Sequence, residues 1–135
     1  MTQEEKDLLL KDLCARLLYG VKASYYGAEE ECETWDEIEG ITIDGYVDIG
    51  QYSLPIEGIK PYLFPLSSMT EEQYNEFFNY YHNIELEEVK ASGDYLKAAY
   101  LGDDAKYEWL NRNHFDWRGL IEKVLAIDCT NLNIY

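Results

Sequence analysis

The chain has 135 residues and a formal net charge of −16, from 27 acidic and 11 basic residues. This acidity excludes direct binding to a nucleic-acid backbone, which requires a basic face, and it also excludes attachment to an anionic membrane surface. Solubility alone, an acidic protein-binding face and mimicry of nucleic acid all remain open as explanations of the charge, and a basic protein partner is favoured by long-range attraction.

The length predicts one compact domain, residues 1–135, with a core that needs no disulfide bonds. The three cysteines, Cys14, Cys32 and Cys129, are too few and too widely spaced for a disulfide framework or a paired zinc knuckle. The charged N-terminal region does not resemble a signal peptide, and no apolar run reaches membrane-spanning length. We therefore expect a cytoplasmic protein.

The first predicted element is a helix that runs from Thr2 to about Tyr19. Thr2 and Glu5 have the spacing of a capping box, and Gly20 suits the position after a helix. Apolar side chains recur at helical spacing and predict one buried stripe, formed by Leu10, Leu13, Cys14 and Leu17 with Leu9 and Leu18 beside them. Cys14 is therefore expected as a small core residue rather than a nucleophile.

A strand is predicted over residues 21–26, followed by a strongly acidic stretch over residues 29–39. Repulsion between its carboxylates favours an exposed loop or a ragged strand start. The stretch lacks the pattern of an EF-hand loop, so no metal site is predicted. The candidate residues for binding a basic partner are Glu29, Glu30, Glu31, Glu33, Trp35, Asp36 and Glu37.

Residues 41–49 have the clearest hairpin pattern, centred on an Asp-Gly turn signal. A two-residue loop would pair Ile43 with Tyr46, whereas a three-residue loop would pair Ile43 with Val47 and gather the aliphatic side chains on one face. Register follows the apolar pattern when one face is buried, so the odd loop or a bulge is favoured. A further strand is predicted over residues 52–56.

Pro61 and Pro65 extend the backbone and remove two hydrogen-bond donors. This predicts an edge strand or a connector rather than a central strand. Thr70 and Gln73 have capping-box spacing and begin a helix that is expected to end near residue 82. The aromatic side chains expected in its buried face are Tyr74, Phe77, Phe78 and Tyr81.

The remaining sequence is mainly helical in pattern. Residues 84–90 fit a short strand or a helical continuation, and residues 95–101 fit a strand or a helix. A clear helix is predicted over residues 105–113, and Asp116 is expected to cap a short helical turn. Residues 125–127 are expected to form a last strand, followed by a loose tail.

These elements together predict an α+β fold. An N-terminal helix precedes a small bent antiparallel sheet, and a helical C-terminal half with one or two short strands completes the chain. The β-rich half is expected over about 21–66 and the helical half over about 70–128, both within the same domain.

The most compact polar cluster with acid–base potential comprises His114, Asp116, Trp117 and Arg118. A His–Asp pair can orient a base, so these four residues are the candidate site for a small ligand. The same residue types also cap and pack the ends of helices. No nucleophile elbow and no glycine-rich phosphate cradle are present in the sequence. We therefore predict no catalytic residue and no cofactor, and a binding protein rather than an enzyme.

Three stretches, near both ends and in the middle of the chain, carry a family resemblance. They are Thr2-Gln3-Glu4-Glu5-Lys6 through Tyr19-Gly20-Val21, Ile59-Lys60-Pro61-Tyr62-Leu63 through Thr70-Glu71-Glu72, and Trp109-Leu110-Asn111 through Gly119-Leu120-Ile121. The set resembles a family of small uncharacterised proteins carried by prophages and mobile elements of gut anaerobic bacteria. The resemblance implies no residue role. It implies a context of accessory proteins that often act on host proteins, nucleotides or defence systems.

Two functions are compatible with these observations. The first is a non-catalytic binding or inhibitory protein that acts on a host protein, and it requires the carboxylates of residues 29–39 and 85–88 to share one surface. The second is a small-molecule or nucleotide-sequestering protein, or a minor enzyme, and it requires a closed pocket with a cation near His114. The acidity disfavours a phosphate ligand, so the first function is favoured.

Overall fold

The computed structural model describes residues 1–25, 34–80 and 105–135. It confirms the α+β class, with an N-terminal helix, a mixed sheet and a helical C-terminal region with short strands. The described helices are α1 (Gln3–Arg16), α2 (residues 71–80) and α3 (residues 105–112). The described strands are β1 (Lys22–Tyr25), β2 (Thr34–Ile41), β3 (Tyr46–Ile49), β4 (Tyr52–Pro55), β5 (Lys60–Pro65), β6 (Phe115–Asp116) and β7 (Ile127–Asp128).

Helix α1 begins at the predicted capping box. The Glu5 N–H donates to Thr2 Oγ1 at 3.1 Å, and the Thr2 N–H donates to Glu5 Oε1 at 3.3 Å. A 3-10 turn, Leu17–Tyr19, follows the helix and ends at Gly20, whose φ of 72° lies in the left-handed region. The predicted start and end of the helical segment are therefore confirmed.

The buried face of α1 differs from the predicted stripe. Leu9 and Leu13 are buried as expected, but Cys14 is exposed. Asp12 and Arg16 are buried in its place. The prediction that Cys14 belongs to the core is wrong, because the two charged residues form an ion pair and can enter the interior together.

The strands lie in the order β4-β3-β2-β1-β5-β6, and β7 also pairs with β5. Strands β1 to β5 pair in antiparallel fashion, whereas β6 and β7 run parallel to β5. The sheet is therefore mixed rather than purely antiparallel.

Strand β5 is an interior strand, so the prediction of an edge strand or a connector is wrong. It pairs with β1, β6 and β7, and each partner contacts a short part of it. The N–H of Phe64 donates to His114 O at 2.8 Å, and the Leu63 carbonyl accepts from the Cys129 N–H at 3.0 Å. The prolines at positions 61 and 65 are tolerated because the short partners need few donors from β5.

A three-residue loop, residues 43–45, joins β2 to β3. The Thr42 N–H donates to Tyr46 O at 2.9 Å, and the Gly45 N–H donates to Thr42 O at 3.1 Å. Gly45 has a φ of 82°, which a glycine adopts without strain. The predicted odd loop length is therefore confirmed, although the loop lies one position earlier than the predicted pairing requires.

The register of this hairpin differs from the predicted pairing. Ile41 pairs with Val47, whereas Ile43 is 99% exposed. A β-bulge between Ile38 and Gly40 shifts the rest of the register. The predicted pairing of Ile43 with Val47 is wrong, because the loop and the bulge together place the side chain of Ile43 at the tip of the hairpin.

The described residues form three apolar clusters in the interior. The largest packs α1 against the sheet and includes Leu9, Leu13, Val21, Ala23, Tyr25, Ile38, Val47, Ile49, Ile59, Leu63 and Leu120. A second contains Tyr62, Cys129 and Ile134, and a third is built around Trp109, Leu110 and Phe115. Adjacent residues of a strand point to opposite faces. Leu63 and Tyr62 therefore direct the first two clusters to opposite faces of the sheet.

The C-terminal residues are docked on the sheet, so the prediction of a loose tail is wrong. The Tyr135 hydroxyl accepts from the Lys22 N–H at 2.8 Å and donates to Tyr62 O at 2.9 Å. The pairing of β1 with β5 ends at Ala23 and Pro61, so the hydroxyl lies where the next pair would form. The tail is fixed because its polar end replaces a ladder contact.

The capping box at the start of α2 is confirmed. The Gln73 N–H donates to Thr70 Oγ1 at 3.1 Å, and the Thr70 N–H donates to Gln73 Oε1 at 2.9 Å. Phe77 packs on Trp109 with ring centroids 5.2 Å apart, but two other members of the predicted buried face are exposed, Tyr74 and Phe78. The predictions for residues 84–90 and 95–101 lie outside the described residues.

Candidate functional site

The described part of the acidic stretch is a regular strand. Residues 34–41 form β2, which pairs with β1 along one edge and with β3 along the other. The prediction of a loop or a ragged strand start is therefore wrong for these residues, because two neighbouring strands supply backbone hydrogen bonds. Four of the candidate partner-binding residues lie outside the described residues, namely Glu29, Glu30, Glu31 and Glu33.

The other three candidates, Trp35, Asp36 and Glu37, are exposed on β2, and Trp35 is 46% exposed. Trp35 packs edge-on against Tyr62, with ring centroids 6.4 Å apart and planes at 79°. The indole is therefore held in one orientation while part of it faces solvent. The predicted convergence with residues 85–88 lies outside the described part of the chain.

A cation lies beside Trp35 but leaves the carboxylates unneutralised. Lys22 Nζ lies 5.4 Å from the centroid of the Trp35 ring and donates to the carbonyl of Ile134 at 2.8 Å. The amine is thus engaged by an aromatic face and a backbone carbonyl. Asp36 and Glu37 form no ion pair with any residue in 1–25, 34–80 or 105–135.

The bulge in β2 brings two carboxylates to one cavity. Asp36 and Glu39 are three residues apart and would point to opposite faces of a regular strand. A bulge adds one residue and can re-aim a side chain, and both residues line an open cavity of about 410 Å³. We call this cavity the acidic pocket, and its described lining is Tyr25, Asp36, Glu39, Gly50, Gln51 and Tyr52.

Sequence reasoning included Glu39 only in the acidic stretch over residues 29–39, and it did not assign Tyr25 or Tyr52 to a site. These three residues lie on three different strands, β1, β2 and β4, so only the sheet brings them together. The one local signal was Gly40, since a glycine within a strand often marks a bulge. That signal indicates a change of register. It does not indicate which side chains the bulge brings to the same cavity.

The predicted ligand site contains residues that are bound internally. The Asp116 carboxylate accepts from the N–H groups of Leu120 and Ile121, both at 2.9 Å, so it caps a turn as predicted, although residues 117–124 form bends and turns rather than a helix. Arg118 Nη1 pairs with Asp12 Oδ1 at 2.8 Å, and the guanidinium lies 3.9 Å from the centroid of the Trp117 ring. Asp116 therefore does not orient His114 as a catalytic partner would.

Asp12 is the centre of a buried ionic cluster. Its Oδ2 accepts from Arg16 Nε at 2.8 Å, and its Oδ1 accepts from Arg118. Arg16 Nη2 also donates to the carbonyl of Phe115 at 2.6 Å. The cluster ties α1 to β6 and to the turn that follows. Sequence reasoning did not predict it, although acid and arginine four residues apart on a helix are a pairing signal.

His114 is a half-buried, neutral imidazole. Burial lowers its pKa to about 4, and the positive charges of Arg16 and Lys22 act in the same direction. Its backbone is left-handed, with a φ of 64°. Both His114 Nδ1 and Arg16 Nη1 are buried without a hydrogen-bond partner among the described residues. These features fit packing between elements better than exposed acid–base chemistry.

A cavity of about 350 Å³ lies beside Asp116 and Trp117. Its other described lining residues are Pro65, Leu66, Ser67, Gly119, Ile121 and Glu122. No arginine or lysine is among these described residues, whereas a ligand site near His114 was expected to include a cation. The contacts favour structural roles for the four predicted residues, and a small-molecule site there remains a prediction.

The fold and surface define a small acidic α+β protein with its arginine–aspartate cluster inside and an acidic strand outside. Comparison of the chain with family models, with curated proteins and with solved structures found no match. Within the described ranges, no helix is both long and apolar enough to span a bilayer. Function is therefore inferred from the chain's own geometry.

Proposed function

We propose that this protein is a non-catalytic acidic accessory protein that binds a basic host protein and inhibits it. The observation that carries the proposal is strand β2, which exposes Trp35, Asp36 and Glu37 while both of its edges are paired. A strand fixed in this way holds Trp35 and Glu37 ready for contact on one face and Asp36 on the other, because successive side chains point to opposite faces. Such preorganisation lowers the entropy lost on binding.

The charge distribution supports a basic partner. The net charge of −16 attracts positively charged proteins over long distances and raises their association rate. Arg16 and Arg118 are engaged with Asp12 inside the fold, so they contribute little to neutralising the surface of β2. Exposed tryptophan is a common anchor in interfaces, which makes Trp35 the expected centre of the contact.

The proposed setting is the cytoplasm of a bacterial host, with a phage or mobile element as the carrier of the protein. The resemblance of residues 2–21, 59–72 and 109–121 to proteins of such elements supports the carrier. A reducing compartment is supported by Cys14 and Cys129, which are free thiols.

Affinity capture tests the proposal. The immobilised protein is incubated with a lysate of a gut anaerobic bacterium, washed at increasing salt, and its bound proteins are identified by mass spectrometry. We expect a basic protein whose retention falls with salt and is weakened in the Asp36→Asn/Glu37→Gln variant and in Trp35→Ala. The matched control is Glu76→Gln/Glu122→Gln, which removes two exposed carboxylates from elsewhere and so gives the same net charge.

A further assay measures inhibition of the captured protein's own activity by wild type and by both double variants. Capture that is indifferent to salt, or equal loss in the β2 variant and its control, would contradict a specific acidic surface. Equal loss would show that only the total charge matters.

A further inference from the structure

We propose that the acidic pocket binds the side-chain cation of a basic protein, either a lysine ammonium or an arginine guanidinium. This inference rests on the proposed function, because it names the group that the basic partner inserts. The pocket is defined by the described residues that line it, Tyr25, Asp36, Glu39, Gly50, Gln51 and Tyr52.

The pocket carries two carboxylates that have no counter-charge among the described residues. Asp36 and Glu39 are exposed, and neither forms an ion pair with a residue that the structure describes. Asp36 Oδ1 accepts from the Glu37 N–H at 2.7 Å, which fixes this carboxylate and leaves Oδ2 for a ligand. Two such groups in one cavity attract a cation and repel an anion.

A second, independent feature is the hydroxyl group of Tyr25. This residue is only 7% exposed and lines the pocket, yet its hydroxyl has no hydrogen-bond partner within the described residues. The hydroxyl lies against Gly50, where a Cβ would collide with it. A hydroxyl oxygen is a hydrogen-bond acceptor, so the phenol adds a third acceptor group to the two carboxylates.

The aromatic part of the pocket also suits a cation. The rings of Tyr25 and Tyr52 lie with centroids 6.1 Å apart and planes at 54°. Ring faces attract ammonium and guanidinium groups through their quadrupole. The volume of about 410 Å³ is sufficient for the end of one long side chain. Three acceptor groups match the three donors of an ammonium, and the carboxylates can also accept from a guanidinium fork.

The experiment uses three small probes, Nα-acetyl-lysine methylamide, Nα-acetyl-arginine methylamide and Nα-acetyl-norleucine methylamide. Each is titrated into the isotope-labelled full chain, and chemical shifts are followed by NMR. We expect a cationic probe to shift the signals of Tyr25, Glu39 and Tyr52, whereas the neutral norleucine probe does not. The tighter of the two cationic probes identifies the side chain that the partner inserts.

Matched variants separate the pocket from general acidity. Glu39→Gln is expected to weaken the cationic probe about tenfold, the loss of one charge contact and its hydrogen bond. Tyr25→Phe tests the hydroxyl alone and is also expected to weaken the probe. Glu76→Gln, on α2 and outside the described pocket lining, removes the same charge and is expected to leave the affinity unchanged.

Equal shifts from lysine, arginine and norleucine probes would overturn the inference, as would equal losses of affinity in Glu39→Gln and Glu76→Gln. The spectrum of each free variant shows whether its fold is intact. If a basic host protein is captured and Glu39→Gln captures it equally well, the pocket is wrong but the proposed function stands. If the probes bind and no basic protein is captured, the pocket stands and the proposed function fails.

Discussion

The imidazole ring of His114 stacks on the phenol ring of Tyr135, with centroids 3.6 Å apart and planes 11° from parallel. The Tyr135 hydroxyl at the same time joins Lys22 of β1 to Tyr62 of β5. This aromatic pair therefore connects the segment after α3 to the middle of the sheet.

Replacing Tyr135 by Phe should keep the stacking and remove the bridge. The Lys22 N–H and the Tyr62 carbonyl then lose a shared partner, at an expected cost of about 1 kcal/mol in the free energy of unfolding. Urea denaturation measures this difference. Tyr46→Phe is the control, since Tyr46 is an exposed tyrosine of β3 and should change stability little. Equal stability of the two variants would show that the bridge contributes nothing.

The His114 imidazole should make stability depend on pH. Its folded-state pKa is about 4, whereas in the unfolded chain it is near its ordinary value of about 6.5. Between these values the unfolded state binds more protons. The stabilisation that the neutral imidazole gives the folded state is therefore complete above about pH 6.5. It is lost as the pH falls towards 4, which lowers the free energy of unfolding by at most about 3 kcal/mol.

His114→Asn isolates this effect, because asparagine does not titrate and tolerates the left-handed backbone at this position. Denaturation of both proteins between pH 4 and 6.5 gives the comparison. We expect the stability of the wild type, relative to the variant, to decrease as the pH is lowered. Carboxylate titration occurs in both proteins and cancels in the difference, so parallel curves would rule out a depressed pKa for His114.

Replacing Asp12 by Asn should be among the most destabilising exchanges in α1. It leaves the guanidinium groups of Arg16 and Arg118 without their shared carboxylate, and breaking a buried ion pair costs about 3–5 kcal/mol. Cys14→Ala, two positions further on, should change stability by less than about 0.5 kcal/mol, because Cys14 is exposed. Thermal unfolding of the two variants gives a direct comparison. A large loss of stability in Cys14→Ala would support the predicted stripe, in which Cys14 belongs to the core.

The hairpin register predicts opposite outcomes at two isoleucines. Ile43→Ala should be nearly neutral because its side chain is 99% exposed, whereas Ile49 is in the main core. Truncating Ile49 to Ala should cost about 2–5 kcal/mol through lost burial and the cavity left behind. Chemical denaturation measures both. A cost at Ile43 similar to that at Ile49 would indicate the pairing that the apolar pattern favoured.

Elements with local signals could be predicted from the sequence. Both capping boxes, the first helix and the three-residue loop depend on residues within a few positions of each other, so their spacing was sufficient. The centre of the sheet could not be predicted in this way. The three described partners of β5 come from distant parts of the chain, and local proline chemistry indicated an edge strand instead.

The same limit applies to the sites. Asp12 accepts a hydrogen bond from Arg118, which is 106 residues away in the chain. The apolar periodicity of α1 therefore could not predict that a carboxylate is buried there. Acidic residues of β2 were predicted as a partner surface from local charge density. The pocket required Tyr25 and Tyr52 from neighbouring strands, as well as a bulge whose effect on side-chain direction appears only in the folded sheet.

The position of Tyr135 in the sheet has a consequence for the order of folding. Its hydroxyl meets Lys22, 113 residues earlier in the chain, while the hairpins of β2, β3 and β4 need only neighbouring residues. Contacts over such a separation pay a large loop-closure entropy before they stabilise anything, and they slow folding. Strands β1 and β5 should therefore pair last, after the hairpins have formed.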